Sequence, residues 1–418
     1  MRLTAPVVAI HTLGCKVNQC DADALVALIV QKGYAVGSFD MLADVYIINT
    51  CTVTQTGDKK SLQMIRRARK QNPAALVAVC GCLVQRNAEK IHKAGADVLF
   101  DARSPDALFA RLDVDAAVAT NNFVLGKTKE RTRAFIKIQD GCDRFCAYCI
   151  VPYVRGPIRS RLASDIIVEA DNRIAGGAKE IVLTGIQVAS YGNDGNDSLS
   201  SLIKSVAALP NLYRLRLSSI DPWAVDDAFL QTVAVSPVLS SHFHLSLQSG
   251  CDATLMRMNR RYTTAEYAKV VARLRALRPD MALTTDIIVG FPGESDADFE
   301  MSMQFAQEMA FARVHVFVYS PRAGTAAAEF CDQIPDAVKT ARGKQLRDLA
   351  ADLETQFLKK QMGRVVSVLF EQEKSPNTWQ GYTDNYTPVV VTGTQLENKL
   401  LNVRLIGLTG HILSGEII

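Results

Sequence analysis

Three cysteines lie within eight residues in the segment GCDRFCAYC, residues 141–149. Cys142, Cys146 and Cys149 have the spacing C-x3-C-x2-C, and the aromatic Tyr148 precedes the last of them. A structural zinc site takes four ligands, and no partner cysteine or histidine lies nearby in the sequence. Closely spaced thiolates also hold iron–sulfur clusters. A cubane cluster held by three cysteines leaves one iron open for a small chelating ligand, so this spacing predicts a working cluster.

A second set of cysteines lies in the N-terminal part of the chain. Cys15, Cys51 and Cys82 each come just after a predicted strand, in AIHTLGC, IINTC and AVCGC. The carboxyl ends of parallel strands in a doubly wound sheet converge on one crevice. Gly14 and Gly81 precede two of these cysteines and permit close approach of the backbone. Any one of the three taken alone fits a buried apolar role, but together they predict a second three-cysteine site.

The remaining four cysteines are assigned to structural roles. Cys20 lies in the following helix or turn, Cys80 lies inside a strand, and Cys331 belongs to no pattern. Cys251 follows a strand end and is also a candidate for lining the site. The N-terminal segment reads as a strand rather than as a signal peptide, so we expect a cytoplasmic protein. Ten cysteines in such a protein favour metal or redox chemistry over disulfides.

The elements that must position the cysteines follow from the apolar pattern. In residues 1–120, apolar runs of strand length alternate with amphipathic helices, which predicts a doubly wound parallel sheet. Residues 121–133 are polar and basic and are interpreted as a linker. No apolar run approaches the ~20 residues that span a bilayer, so we expect no membrane association.

The pattern restarts with a different set of strands at residue 134. The segments AFIKIQD, EIVLTG, LYRLRLSS, HFHLSLQS, ALTTDIIVG and RVHVFVYS alternate with helices, which predicts an open (β/α)6 barrel. The first cysteine triad then lies at the carboxyl end of the first barrel strand, which is the functional face of such a barrel. A long helix completes residues 134–362, and residues 363–418 alternate as in a small antiparallel β-barrel.

The net charge is only +4, so a nucleic-acid partner would have to be held by local basic patches. The two densest patches are Arg66, Arg67, Arg69 and Lys70, and Lys127, Lys129, Arg131, Arg133 and Lys137. A solvated helix face and a charged linker explain such runs equally well. Residues 363–418 carry four basic and five acidic side chains, which is weak for binding RNA.

The motif C-x3-C-x-aromatic-C after the first strand of a barrel resembles the radical S-adenosylmethionine superfamily. Two three-cysteine sites resemble one branch of it, the methylthiotransferases. The resemblance covers essentially the whole chain and is carried by the segments TLGCKVNQ, INTCTV, GCLVQR, QDGCDRFCAYCIVPYVRGPIRSR, EIVLTGIQVASYG, LRLSSIDP, LSLQSG, RMNRRYT, TDIIVGFPGE and YSPRAGT. Residues 363–418 look like the RNA-binding TRAM domain of these enzymes. Asp221 stands where relatives usually carry Glu.

The resemblance implies a reaction and its cofactors. TLGCKVNQ is similar to the enzymes that insert a methylthio group at C2 of N6-threonylcarbamoyladenosine, at position 37 of tRNA. The implied cofactors are two [4Fe-4S] clusters and two molecules of S-adenosylmethionine per turnover. The barrel cluster, on Cys142, Cys146 and Cys149, would make a 5′-deoxyadenosyl radical, and the second cluster would carry the sulfur. An aryl C–H bond is too strong for a side-chain base, which is why cofactors are needed.

Other residues at the barrel strand ends are expected to contact cofactor or substrate. The cofactor-binding candidates are Tyr148, Gly185, Gln187, Ser218, Gln248, Asp286, Gly290 and Pro292. Further polar candidates are Thr184, Ser190, Asp221 and Arg322. Arg155, Arg159, Arg161, Arg260 and Arg261 are candidates for tRNA phosphates, with ordinary ion pairing as the alternative. Tyr153 and Tyr191 are candidates for stacking on a base.

The expected partners are the anticodon stem-loop of tRNA, S-adenosylmethionine and an electron donor. The protein itself is expected to be a monomer. Three alternatives stay open. In the first, the substrate is isopentenyladenosine in tRNA or a ribosomal-protein side chain. In the second, the N-terminal cluster only transfers electrons. In the third, the chain is a non-catalytic iron–sulfur or RNA-binding scaffold.

Overall fold

The computed structural model describes residues 6–112, 132–195 and 197–418. Most of the predicted linker, with Lys127, Lys129 and Arg131, lies outside the described residues. Arg133 lies within them and begins a strand rather than ending a linker.

The N-terminal unit is a five-stranded parallel sheet in the order β2-β1-β3-β4-β5. Its elements are β1 (Val7–Thr12), α1 (Lys16–Gln31), β2 (Ala35–Gly37), β3 (Val45–Thr50), α2 (Gln55–Gln71), β4 (Leu76–Gly81), α3 (Ala88–Lys93), β5 (Val98–Leu99) and α4 (Asp106–Phe109). Every residue of β3 is buried, because α2 covers one face of the sheet and α1 the other. The sheet therefore has the doubly wound form that its apolar runs predict.

The central unit contains all six predicted barrel strands. Its elements are β6 (Arg133–Asp140), α5 (Val151–Arg155), β7 (Arg159–Ser160), α6 (Ala163–Ala175), β8 (Glu180–Gly185), α7 (Leu199–Ala207), β9 (Arg214–Leu217), α8 (Asp227–Val235), β10 (His242–His244), α9 (Asp252–Arg257), α10 (Thr264–Leu277), β11 (Ala282–Val289), α11 (Asp296–Met309), β12 (Arg313–Val318) and α12 (Asp336–Lys359). The order is β6-β8-β9 and β10-β11-β12, and two parallel bridges, Leu215 with Leu239 and Ile220 with Leu245, join the two groups. The short β7 pairs antiparallel with β6 and was not predicted.

The C-terminal unit is a closed barrel in the order β13-β14-β15-β17-β16. Its strands are β13 (Val365–Ser375), β14 (Thr378–Thr383), β15 (Pro388–Thr392), β16 (Leu400–Thr409) and β17 (Ile412–Ile417). The contact between β15 and β17 is parallel, and the other pairs are antiparallel. β13 and β14 follow each other with almost no loop, because Asn377 in a left-handed turn reverses the chain.

Contacts between the units place α1 and the C-terminal barrel against the central barrel. The helix α1 packs on β6 and β8, where Lys137 pairs with Asp21. At the opposite, amino end of the strands, Arg214 donates to the carbonyls of Tyr382 and Ser367, both at 2.7 Å. Among the described residues, no helix combines the length and the apolar character needed to cross a membrane.

Candidate active site at two cysteine triads

The loop that carries Cys142, Cys146 and Cys149 joins β6 to α5 at the carboxyl end of the barrel. Gly141 begins it with φ +74, and a Cβ at this position would lie 1.8 Å from the carbonyl oxygen of Pro157. Only glycine fits there, so the turn that presents Cys142 depends on it. Cys149 N donates to Cys146 O at 2.9 Å, which curls the last two cysteines towards the same side. The loop therefore holds three thiols at one strand end.

The segment RMNRRYT anchors this loop from the other side of the barrel mouth. Met258 O accepts from Ala147 N at 2.9 Å, and Arg260 donates from a terminal nitrogen to Cys146 Sγ at 3.3 Å. The Arg260 side chain is 7% exposed and forms an ion pair with Asp221, which is 5% exposed. A phosphate contact for Arg260 is therefore wrong, because its charge is buried and already paired.

The second triad lies at the carboxyl ends of three strands of the N-terminal sheet, with Cys15 after β1, Cys51 after β3 and Cys82 after β4. Gly14 has φ +103, and a Cβ there would lie 2.9 Å from Cys51 Cβ, so glycine allows the Cys15 and Cys51 loops to touch. The Asn18 side chain joins the same loops, because its Nδ2 donates to Leu13 O at 2.8 Å and to Thr50 O at 3.0 Å. The three cysteines therefore converge, as their positions predict.

Burial raises the thiol pKa in both triads. In the barrel triad it raises the pKa of Cys142, and it raises the pKa of Cys149 to about 12. In the N-terminal triad it raises the pKa of Cys51 and Cys82, and for Cys82 the neighbouring Cys15 and Cys51 thiols add to the effect. These sulfurs become thiolates only when a metal displaces their protons.

Arg155 connects the two triads. Its Nε donates to Cys82 Sγ at 3.3 Å, although Arg155 itself lies on α5, just after the barrel triad. Its Nη1 pairs with Asp21 at 2.9 Å and with Asp140 at 3.2 Å, all three side chains being nearly inaccessible to solvent. Burial opposes ionisation of Asp140, but Arg155 and Lys137 outweigh it and lower the pKa of Asp140. The prediction that Arg155 meets phosphate is therefore wrong.

A small apolar contact joins the segments that carry the two triads. Cys82 packs in one buried cluster with Ile150, the residue directly after Cys149, and with Val154. A second contact between the units lies nearby, where Arg322 of the segment YSPRAGT pairs with Asp58 at 2.7 Å and also donates to Thr52. Arg322 is thus an inter-unit contact rather than a free group at a strand end.

The predicted cofactor-binding residues lie at the carboxyl ends of the barrel strands, which form the rim of the barrel mouth, except for Asp286, which lies within β11. Gln187 donates to Asp221 at 2.6 Å and its backbone N–H bonds Gln139, whose Oε1 lies 3.0 Å from a Cβ built on Gly185. Gln248 has φ +72, a conformation that costs a non-glycine residue about 1–2 kcal/mol. Backbone strain of this kind concentrates at functional sites.

The other predicted cofactor-binding residues contact the following neighbours. Pro292 O accepts from Arg257 Nε at 3.0 Å, and Gly290 N donates to Glu294 at 2.6 Å. Tyr148 is half-buried and packs edge-on against Phe291, and the desolvation of its hydroxyl raises its pKa. The Asp286 carboxylate lies 3.2 Å from His244 Nε2.

The structure also bears on the tyrosines, the basic patch and the remaining cysteines named from the sequence. Tyr191 is 2% exposed and its hydroxyl bonds Asp197, so base stacking is wrong for this residue, whereas Tyr153 is 58% exposed. Arg133 and Lys137 are paired with Glu371 and with Asp21, so they form no basic patch. Among the four cysteines given structural roles, Cys20, Cys80 and Cys251 are buried or half-buried and Cys331 is exposed.

The donor set fits the groups that the cysteine spacing implies. Six thiols in two triads offer soft sulfur ligands, which select iron–sulfur clusters or zinc over oxygen-seeking ions. Ser218 Oγ is buried at the mouth and has no hydrogen-bond partner among the described residues. A buried hydroxyl of this kind normally has a partner, so it fits a polar ligand bound there.

Each of the three units of the chain matches a known protein family. Residues 7–101 match the family described as uncharacterized protein family UPF0004, residues 136–306 match the radical SAM superfamily, and residues 359–418 match the TRAM domain. The threonylcarbamoyladenosine tRNA methylthiotransferase MtaB of Bacillus subtilis is 37% identical over 96% of this chain and 93% of its own length. A tRNA-2-methylthio-N(6)-dimethylallyladenosine synthase of Geobacillus kaustophilus is 35% identical over 98% of this chain and 82% of its own length.

A solved structure shares the fold at low identity. The radical S-adenosylmethionine methyltransferase TsrM from Kitasatospora setae, with cobalamin and a [4Fe-4S] cluster bound, is 14% identical with a TM-score of 0.58. The match covers 78% of this chain and 77% of that protein. With the sequence relatives above, these findings confirm the resemblance that the motifs carry, and the chain belongs to the radical SAM methylthiotransferase family.

Proposed function

We propose that this protein inserts a methylthio group at C2 of N6-threonylcarbamoyladenosine at position 37 of tRNA. Two [4Fe-4S] clusters and two molecules of S-adenosylmethionine per turnover are part of the proposal. The observation that carries it is the approach of the two triads, because Cys82 packs on the residue that follows Cys149. A sulfur donor and a radical generator have to reach one substrate carbon, and such a shared site allows this.

The substrate is proposed from the relatives. Four of them, from Bacillus subtilis, Thermotoga maritima, Aquifex aeolicus and Chlamydia pneumoniae, carry the name threonylcarbamoyladenosine tRNA methylthiotransferase and are 34–37% identical over nearly the whole chain. The dimethylallyladenosine synthases are 33–35% identical. Because the two ranges overlap, isopentenyladenosine remains the second candidate substrate.

The metal ligands we propose are Cys142, Cys146 and Cys149 for the barrel cluster and Cys15, Cys51 and Cys82 for the N-terminal cluster. When bound, the clusters and S-adenosylmethionine would supply the radical, the sulfur and the methyl group. The chain's own part is to bind and orient. Arg260 and Arg155 each donate to one ligand sulfur and place a buried positive charge beside each cluster.

The S-adenosylmethionine site we propose is the rim of the barrel mouth. It takes Tyr148, Gly185, Gln187, Ser218, Gln248, Gly290 and Pro292 as contacts. Ser218 Oγ, which lacks a described partner, is the donor or acceptor most clearly free for the ligand. Asp286 is also retained as a predicted contact, and its carboxylate lies 3.2 Å from His244 Nε2.

The tRNA site we propose begins at the exposed edge of the cysteine loop. Phe145 is 49% exposed and its ring lies 5.6 Å from that of Tyr153, so the two rings offer an aromatic surface beside the barrel triad. Aromatic rings stack on bases that are splayed out of a loop. Arg159 and Arg261 are exposed, and each is close in sequence to a segment at this edge. We propose them as phosphate contacts. An electron donor and a monomeric enzyme complete the proposal.

The deciding experiment is mass spectrometry of the nucleosides from digested tRNA. The cluster-loaded protein is incubated with reductant, S-adenosylmethionine and tRNA that carries threonylcarbamoyladenosine. We expect a nucleoside with methylthio in place of hydrogen from wild type and from Cys331→Ala, and none from Cys82→Ala. Product from isopentenyladenosine tRNA only would move the function to the second candidate. Formation of 5′-deoxyadenosine without any modified nucleoside would point to a ribosomal protein or another substrate.

A further inference from the structure

Three neighbouring strands of the central barrel each present one ionisable side chain on the same face. His244 lies on β10, Asp286 on β11 and His315 on β12, and Asp286 and His315 are direct neighbours in the strand register. Phe243 and Ile287, beside two of these residues, belong to the core under the helices. Side chains alternate along a strand, so the three ionisable groups face the barrel interior.

The side-chain atoms that could bind a metal form a compact group. One nitrogen of each histidine and one oxygen of Asp286 all lie within 4.8 Å of one another. The Asp286 carboxylate is 3.2 Å from His244 Nε2, and the two imidazole centroids are 5.6 Å apart. Two ligands of one ion, each about 2.1 Å from it, lie at most about 4.2 Å apart. Small side-chain rotations therefore bring the group to coordination distance.

We propose that His244, Asp286 and His315 form a binding site for a divalent transition-metal ion, distinct from the two cysteine triads. Two imidazoles and one carboxylate are a ligand set for zinc, iron(II), cobalt(II) or manganese(II). Thiolate ligands select iron–sulfur clusters, whereas this set contains no sulfur. The proposal is independent of the proposed function, because it needs neither a cluster nor tRNA.

A hydrogen bond outside the ligand set orients one of the imidazoles. His244 Nδ1 lies 3.0 Å from Thr284 Oγ1, and Thr284 is the residue opposite His244 in the neighbouring strand. Occupation of Nδ1 leaves Nε2 directed at Asp286. A histidine that binds metal through one nitrogen commonly holds a polar partner on the other, so the arrangement matches a metal ligand.

One member of the group is open to solvent. His315 is exposed to solvent and provides the route of entry.

Three protein ligands leave coordination positions open for water or another ligand. Structural metal sites are closed by four protein ligands, whereas sites that act on small molecules keep a position free. The ligand class that fits an open position on such an ion is an oxygen donor, such as a carboxylate or hydroxyl group.

Titration with manganese(II) tests the proposal. Free Mn²⁺ is followed by its electron paramagnetic resonance signal as it is added to the full chain with its clusters assembled, so that the six triad cysteines are occupied. Manganese(II) has low affinity for sulfur and is the weakest binder of its series, which makes it a stringent probe. We expect one ion bound per chain and its release by one equivalent of Zn²⁺.

Matched variants distinguish this site from surface binding. Asp286→Asn keeps the side-chain shape, and we expect it and His315→Ala to weaken binding ten-fold or more. His411→Ala removes an exposed histidine paired with Glu354 and should bind as wild type does. Equal binding by wild type and Asp286→Asn, or no Mn²⁺ withdrawn by wild type, overturns the proposal. Iron and sulfide contents of the same samples report separately on the clusters.

Discussion

The guanidinium of Arg155 donates to Cys82 Sγ across 3.3 Å, from one unit of the protein to the other. The same group is held by two buried carboxylates, Asp21 and Asp140, so its position is set from three sides. A positive charge and a hydrogen bond at a ligand sulfur stabilise the more negative, reduced form of a bound cluster. Arg155 is therefore a positioning residue whose effect extends to the electronic state of the site.

Replacement of Arg155 by Gln is expected to lower the reduction potential of a cluster bound at Cys15, Cys51 and Cys82. If the substitution destabilises the reduced cluster by about 1.4 kcal/mol relative to the oxidised cluster, the one-electron reduction potential falls by about 60 mV. Arg155→Lys keeps the charge but not the planar fork, so a smaller shift is expected. A redox titration followed by electron paramagnetic resonance measures the effect.

The comparison variant for this prediction is Arg159→Gln. Arg159 is exposed and donates to Arg155 O at 3.1 Å rather than to a cysteine sulfur, so its loss should leave the potential unchanged. An Arg155→Gln protein with full cluster content and the wild-type potential would contradict the prediction.

Replacement of Ser218 by Ala is expected to weaken binding of S-adenosylmethionine without affecting stability. Ser218 Oγ has no partner among the described residues, so its loss breaks no internal hydrogen bond. One hydrogen bond to a ligand contributes about 0.5–1.5 kcal/mol, or roughly a two- to twelve-fold change in Kd. Equilibrium dialysis with the cluster-loaded protein measures it.

Ser240→Ala is the matched control for Ser218→Ala. Ser240 is equally buried and its Oγ also lacks a described partner, but it precedes β10, at the opposite end of the barrel from the rim. The same loss of affinity in both variants would show that the effect is not local to the mouth.

Replacement of Arg322 by Met is expected to lower the melting temperature more than the loss of a surface ion pair. The Arg322 side chain is 6% exposed and pairs with Asp58, so its removal strands a half-buried carboxylate. Breaking a buried ion pair lowers the free energy of unfolding by about 3–5 kcal/mol. Because Asp58 is 20% exposed, water can solvate part of its charge, and we expect a loss of about 3 kcal/mol or less. Arg67→Met removes a pair with Asp40 that is 52% and 73% exposed, for which under about 1 kcal/mol is expected. Thermal unfolding compares the two, and equal shifts would exclude a special role for the inter-unit contact.

The backbone near the cysteines could be predicted from the sequence because local pattern determines it. Cys15, Cys51 and Cys82 follow apolar runs, and the edge of a parallel sheet brings such positions together whatever the details of packing. The six barrel strands are visible for the same reason. The start of α1 at Lys16 could not be predicted, because the residues from Lys16 to Cys20 have no apolar periodicity and this part of the helix is held by packing.

The partners of the arginines could not be predicted. Arg155 and Arg260 lie in segments rich in basic residues, and a basic run looks the same whether it faces solvent or a buried carboxylate. The acceptors, Asp21 and Asp221, are respectively 134 and 39 residues away along the chain. The signal available in the sequence was the position of each arginine close to a motif with a cysteine or a strand end. The His244 and His315 pair is likewise set by strand register alone.

His242 gives a prediction for the dependence of stability on pH. Its ring is buried, and its Nδ1 has no hydrogen-bond partner in the described part of the chain. Burial lowers the pKa of His242 well below 6.5, and the neighbouring cations, Arg216 first among them, lower it further. A folded-state pKa below the unfolded value means that the unfolded chain binds the proton more readily, so stability is lost as the pH falls below about 6.5.

The size of this loss has an upper limit that a variant can test. Between pH 7.5 and 5.5 the unfolded histidine becomes mostly protonated, and the folded protein loses at most about 1.4 kcal/mol if His242 stays neutral. His242→Gln cannot take up this proton, so its stability should fall less than that of wild type over the same interval. His92→Gln, which removes an exposed histidine, should follow wild type. Urea unfolding at both pH values measures the three proteins, and parallel losses in wild type and His242→Gln would show that His242 is protonated in the folded state as readily as in the unfolded chain.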